Sequence, residues 1–148
     1  MRIKELEAKF QSEETLDQVL EELKLDFESV DRNAGDMKNG IADNPQEVIR
    51  ILGELTGTFS NLRTALSVSE SQKKNREIGK YVALKIEQEN QGKRFVSATG
   101  EIEASESVKN YRRITNIIEG YKEACQIAIS SLQSLLKYLI TEKNQPVE

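Results

Sequence analysis

Glu101, Glu103 and Glu106 come nearest to a catalytic or metal-binding set, with Glu103 and Glu106 on one helical face. Paired carboxylates on bundle helices hold two metal ions when Glu-x-x-His motifs complete the ligand set. This chain has no histidine, so it lacks that motif and also the commonest general base. Acidic residues in the first turn of a helix are accounted for by its dipole. The single cysteine, Cys125, has no imidazole to pair with and lies on an apolar seam, which predicts a buried structural thiol. Tyr111 and Tyr121 share that seam as core rings with a hydroxyl at the edge. Gly92 and Gly100 are not followed by the GK[ST] of a phosphate loop. These residues predict a protein that is not an enzyme and uses neither metal nor cofactor.

Positive charge is the chemistry that remains. Between Ser71 and Phe95 stand Lys73, Lys74, Arg76, Lys80, Lys85, Lys93 and Arg94 against Glu77, Glu87 and Glu89, seven minus three or +4, in a chain of net charge -4. Residues 1–70 hold 8 Lys/Arg and 15 Asp/Glu, a net of -7, and residues 71–148 hold 13 and 10, a net of +3. Such asymmetry marks a half that meets something acidic. Lys80, Lys85, Lys93 and Arg94 are expected to face a polyanion, with Lys73, Lys74 and Arg76 as an extension and Ile78, Val82 and Ile86 turned inward. A solvated helix face with snorkelling lysines explains the same charges without a ligand. An assembly of subunits would repeat the patch and gain avidity for a phosphate backbone without sequence preference.

The elements that position these residues are helical. With 148 residues, 37% apolar and 31% charged, the apolar side chains must lie in narrow stripes, which suits long helices in a bundle or coiled coil. Ile3, Leu6 and Phe10 stripe a first short helix, and Ser12 or Thr15 caps a second carrying Leu16, Val19, Leu20, Leu23, Phe27 and Val30. "DRNAGDMKNGIADNP" has the composition of a loop. Asn44, Pro45 and Glu47 start a long helix, Asn44 as cap and Glu47 reaching back. Val48, Leu52, Leu55, Phe59, Leu62 and Leu66 form its seam, and close packing would explain Gly53 and Gly57. The seam turns polar at Ser69, yet one helix is expected to run on to Asn90-Gln91-Gly92. In the last helix Tyr111, Ile114, Ile118, Tyr121, Cys125, Ala128, Leu132, Leu135 and Leu139 keep the 3–4 spacing. Ile117, Ile129, Leu136 and Ile140 widen that face beyond what one antiparallel partner needs, so these seam residues are expected to form a homo-oligomer interface.

The fold expected is therefore all-α: two long antiparallel helices with shorter N-terminal helices, coiled-coil-like packing and oligomeric assembly. It forms a single domain over 1–148, with N-terminal helices and loop at 1–43 and a long helix at 44–92. A connection at 93–100, a long C-terminal helix at 101–141 and a tail at 142–148 complete it. One cysteine fits a reducing compartment. "MRIKELEAKF" has no apolar signal core, and no run approaches a membrane span. A cytoplasmic location, bacterial or in a phage-infected host, is expected, with no membrane contact.

The helical order, "YVALK" at Tyr81–Lys85, "EIEASESVKNYRRI" and "EACQIAISSLQSLLKYL" together resemble the UvsY-type recombination mediators of T-even phages. The resemblance covers most of the chain in layout and is specific around Val82-Ala83-Leu84-Lys85. It implies a small helical protein that forms rings, binds single-stranded DNA and helps load a RecA-like recombinase onto strands covered by single-strand-binding protein. In that family a basic pair two residues apart follows the Val-Ala-Leu; here Lys85 matches the first position and Glu87 departs at the second. The function expected is a non-enzymatic single-stranded-DNA-binding accessory factor in recombination or replication. The alternative is a phage-encoded protein-interaction module, such as an inhibitor of a host defence system or an assembly scaffold.

Overall fold

The computed structural model describes residues 3–40 and 44–144, and every element within them is an α-helix. In chain order these are α1 (Ile3–Lys9), α2 (Glu13–Leu16), α3 (Gln18–Glu22), α4 (Lys24–Lys38), α5 (Pro45–Asn90), α6 (Ser97–Ser107) and α7 (Lys109–Lys143). The all-α class and the two long helices with shorter N-terminal ones are as the sequence predicts. The chain divides into two compact units: Met1–Glu21 with Ala65–Ile117, and Glu22–Thr64 with Ile118–Glu148.

The first unit assembles α1, α2, the distal part of α5, α6 and the first turns of α7. Its core includes Leu6, Phe10, Leu16, Val19, Ala65, Ala104, Val108, Tyr111 and Ile114. Ser12 caps α2 by accepting from the Glu14 amide at 3.1 Å, as its position predicts. The Tyr111 hydroxyl donates to the Phe10 carbonyl at 3.1 Å, while the Arg76 guanidinium lies 4.7 Å from the Tyr111 ring centroid and donates to the Gln11 carbonyl. Where the α5 seam turns polar, Ser69 is buried and bonded to the buried Thr115 hydroxyl of α7. The polar position is thus a satisfied hydrogen bond inside the packing, and α5 continues through it.

The second unit packs α4, the proximal part of α5 and the rest of α7. Val30, Val48, Ile51, Leu55, Leu62, Cys125, Ala128, Leu132 and Leu139 form one buried cluster. α5 and α7 run antiparallel here: the Cys125 thiol donates to the Leu55 carbonyl at 3.2 Å, and Pro45 shares a cleft with Leu139. Phe27 stacks on Tyr121 with centroids 4.3 Å apart, and the Tyr121 hydroxyl donates to Asp31 at 2.9 Å. Ser29 and Arg32 both donate to the Glu54 carboxylate.

Several elements differ from the sequence expectation. The amphipathic run from Leu16 to Val30 is three helices with breaks at Asp17 and Leu23. The loop expected from Asp31 is helical as far as Lys38, because Asn33 is buried with its amide on the Ser29 carbonyl (2.8 Å) and Met37 packs on the core. Residues 41–43 of that loop and 145–148 of the tail lie outside the described residues. Glu47 does not close a capping box: it binds Arg50, which holds its carboxyl below the usual range, while Asn44 caps the Gln46 amide at 3.0 Å. The connection ends at Val96, and the helix expected from 101 begins at Ser97 and breaks at the buried Val108. There Arg112 donates to the Ser105 carbonyl and hydroxyl at 3.1 and 2.8 Å. Gly53 and Gly57 are exposed with open space around them, so close packing does not explain them.

The expected oligomer seam is occupied within the chain. Tyr111, Ile114, Ile118, Cys125, Ala128, Leu132 and Leu139 are buried, and Tyr121 and Leu135 half-buried, in the chain's own packing. Of the residues that widen the α7 face, Ile129 and Leu136 pack on the second unit's core with α4 and α5, while Ile140 is exposed.

Glycine substitutions distinguish open from filled positions. Gly57→Ala is expected to raise the stability seen in chemical denaturation by about 0.5–1 kcal/mol, since Ala restricts the unfolded chain and meets nothing. Gly100→Ala is expected to lower it by about 1–3 kcal/mol. Its Cβ would sit 2.5 Å from Phe95 Cζ, which must shift.

Candidate nucleic-acid interface

The surface that carries the basic residues is built by a helix end. Gly92 adopts φ 67°, in the left-handed region that a Cβ disfavours, and lets the chain turn out of α5. The Lys93 amide then bonds back to the Gln88 carbonyl at 3.0 Å and the Gly92 amide to the Glu89 carbonyl at 3.1 Å, a Schellman closure. This fixes Lys93 and Arg94 just past the helix. Phe95 then folds back edge-on against Tyr81, centroids 5.3 Å apart, and covers Gly100 of α6. The Tyr81 hydroxyl bonds to the Ser97 hydroxyl at 3.1 Å, pinning the start of α6 to α5. No side chain caps α6 at Val96, and Arg94 borders a small cleft of about 150 Å³ there with Phe95, Thr99 and Gly100.

Lys74, Lys80, Lys85, Lys93 and Arg94 are exposed and Lys73 half-buried. None of the six takes part in an ion pair among the described residues. They do not form one patch. At about 100° per residue, Lys80 and Lys85 point about 140° apart, whereas Lys73 lies in line with Lys80 and Lys74 with Lys85. The α5 cations thus make two rows, with Lys93 and Arg94 beyond the helix end. Arg76 belongs to neither row, because its guanidinium is held over Tyr111 and on the Gln11 carbonyl. Its place in the expected patch is corrected to a packing role.

Ile78, Val82 and Ile86 are also corrected: all three are exposed rather than turned inward. The face α5 turns to α6 carries Tyr81, Leu84 and Gln88 instead. Sequence reasoning missed Tyr81, Phe95 and Gly100 as the lock that positions this surface. Its available signal was the helix-stop Gly92 followed by Phe95 and, five residues on, Gly100.

Among the remaining reactive groups, the two tyrosines and the cysteine of α7 belong to the packing and the carboxylates to the surface. Glu101, Glu103 and Glu106 are exposed, Glu106 pairs with Lys109 at 3.5 Å, and the described residues contain no acidic or cysteine cluster able to hold a metal ion. Burial raises the Tyr111 hydroxyl, and burial together with the bond to Asp31 raises that of Tyr121. Burial pushes the Cys125 thiol up to about 11. Among the described residues no helix is long and apolar enough to cross a membrane. No family model matches the chain, and neither a curated protein nor a solved structure is found similar to it.

Cys125 gives a test of this packing. At neutral pH its thiolate fraction is about a hundredfold below that of an ordinary thiol. A thiol reagent is expected to label the unfolded chain and spare the native one. The native state keeps the proton more tightly, so stability is expected to fall as pH rises from 9.0 to about 11. Cys125→Ala should make that alkaline decline shallower, as read from denaturation midpoints at each pH.

Proposed function

We propose that this chain is a non-enzymatic single-stranded-DNA-binding accessory factor of the recombination-mediator kind, acting in a bacterial or phage-infected cytoplasm. The observation that carries the reading is the set of unpaired cations, Lys73, Lys74, Lys80, Lys85, Lys93 and Arg94, displayed by an acidic chain. Cations without internal partners are free to displace counterions from a phosphate backbone, and contacts of that kind carry no sequence preference. Lys93 and Arg94 stand beside the uncapped start of α6, where helix amides add to a positive field. Lys73 and Lys80 add a separate row of positive charge along α5. The resemblance around Val82–Lys85 supports the same reading and suggests a RecA-like recombinase or single-strand-binding protein as a further partner.

On this reading several copies act together, because one subunit presents few cations. The outer face of α7 suits such contact. From Ala124 to Leu136 the helix carries no charged residue, and Ile127 beside this face's small residues is 68% exposed, with Tyr138 63% exposed about three turns further on. A helix surface free of charge can meet its own copy without like-charge repulsion.

Two measurements test the proposal. Anisotropy of a labelled single strand, titrated over a range of salt, is expected to show binding that weakens linearly in log–log form, by about 0.7 for each phosphate neutralised. Lys80→Ala with Lys93→Ala and Arg94→Ala should weaken binding and flatten that slope without changing helicity. Absence of wild-type binding at low salt, or an unaltered slope in the variant, would remove the proposal. Sedimentation is expected to show an oligomer that Ile127→Asp dissociates, and a wild-type monomer at micromolar concentration would rule out self-association.

A further inference from the structure

Beside the turn that carries Lys93 and Arg94, the first unit has a cleft of about 150 Å³ between the end of α5 and the start of α6. A space of that size admits one aromatic ring: an apolar cavity of about 150 Å³ takes up benzene. Leu84, Phe95 and Val96 supply its apolar wall, and Gly100 lets Phe95 sit close because it has no Cβ. The Phe95 ring turns its Cζ and Cε2 edge to Gly100 and stands at 86° to Tyr81. Among the described residues no ring is stacked on its faces. A ring held by its edges keeps its faces for a stacking partner.

The polar groups of the cleft decide between a phosphate and a base. Gln88 is half-buried and Thr99 and Glu103 are exposed, and their side chains make no hydrogen bond or ion pair among the described residues. The Glu103 carboxylate repels a phosphate brought into the same small space. A base instead presents N–H donors together with oxygen or nitrogen acceptors along one edge, and a carboxylate and an amide can meet both. That edge is free only when the base is unpaired. Lys93 and Arg94 are exposed on the connection, Arg94 at the rim of the cleft, where phosphates on either side of the base can be met.

We infer that this cleft takes one unpaired nucleobase, stacked on Phe95 with its polar edge toward Gln88 and Glu103, while Lys93 and Arg94 hold the adjoining phosphates. The inference rests on the single-strand reading proposed above and goes beyond it. Cations alone bind any phosphate chain, whereas the cleft makes the bases part of the contact. Stacking on an aromatic ring is tolerant of sequence, because every base has a π-face.

The test uses the full chain and two labelled strands of equal length, one of mixed sequence and one abasic throughout, which keeps every phosphate and has no base. Anisotropy is expected to show the base-bearing strand bound about fivefold or more tightly than the abasic one, with the same dependence on salt. Phe95→Leu should cut that advantage to within about twofold, and Gln88→Ala should reduce it. Abasic-strand binding, salt slope and helicity should stay unchanged in both variants. Ala is the best helix former, so Gln88→Ala keeps the test open if the loss of the Phe95 ring loosens α6. Equal binding of the two strands by the wild-type chain overturns the inference and leaves the single-strand reading standing. An advantage that survives both substitutions puts the base contact elsewhere on the protein and also overturns it. Binding of neither strand at low salt removes both readings.

Discussion

Tyr111 is the residue on which the first compact unit depends, because it supplies packing and hydrogen bonding at a helix end. A helix leaves its last carbonyls without partners, and a buried one costs free energy unless a donor reaches it. At the end of α1 the Phe10 carbonyl receives the Tyr111 hydroxyl, and the Gln11 carbonyl receives Arg76. Arg76 in turn lies over the Tyr111 ring, so the aromatic face that packs beside Phe10 also orients the second donor. The Tyr111 carbonyl accepts from Thr115, which leaves Ser69 as the donor in the buried bond between α5 and α7. One side chain thereby ties α1, α5 and α7 together in that unit.

The second unit handles its polar atoms by the same rule with different residues. Ser29 receives Thr58, donates to Glu54 and offers its carbonyl to Asn33. Burial raises the Asp26 carboxyl, and the bond from Asn61 works against that shift. Among the described residues no buried side-chain nitrogen or oxygen lacks a partner. A chain with narrow apolar stripes can afford polar residues between its helices only under that condition.

This explains which parts of the fold were legible in the sequence. Long apolar repeats such as Val48–Leu66 and Tyr111–Leu139 report helices directly, because every third or fourth residue faces the core. Ser12, Asn44 and Gly92 announce helix ends through local hydrogen bonding and backbone conformation, which the sequence also carries. Asp31–Lys38 misled because loop composition is a local tendency, and the burial of Asn33 that overrides it depends on tertiary packing. The breaks at Leu23 and Val108 have no turn residue to mark them. The basic residues were legible as a charge excess, but their division into two rows and the withdrawal of Arg76 required the helix to be placed against its neighbours.

That division has a consequence for how the surface works. On a helix bound along one side by α6, the remaining directions are limited, and α5 distributes them between different chemistries. Lys73 and Lys80 occupy one side without an aliphatic row between them. Ile78, Val82 and Ile86 occupy another, with Lys74 and Lys85 at its edge. A phosphate backbone gains from exposed charge and gains little from aliphatic surface. The rigidity that keeps the two sides apart comes from α5 remaining one helix through the buried Ser69 and from Tyr81 and Phe95 fixing α6 against it. On the reading proposed here, the +4 excess between Ser71 and Phe95 is spread over two sides of α5 and the turn beyond it, so a strand that meets both rows must wind round the helix.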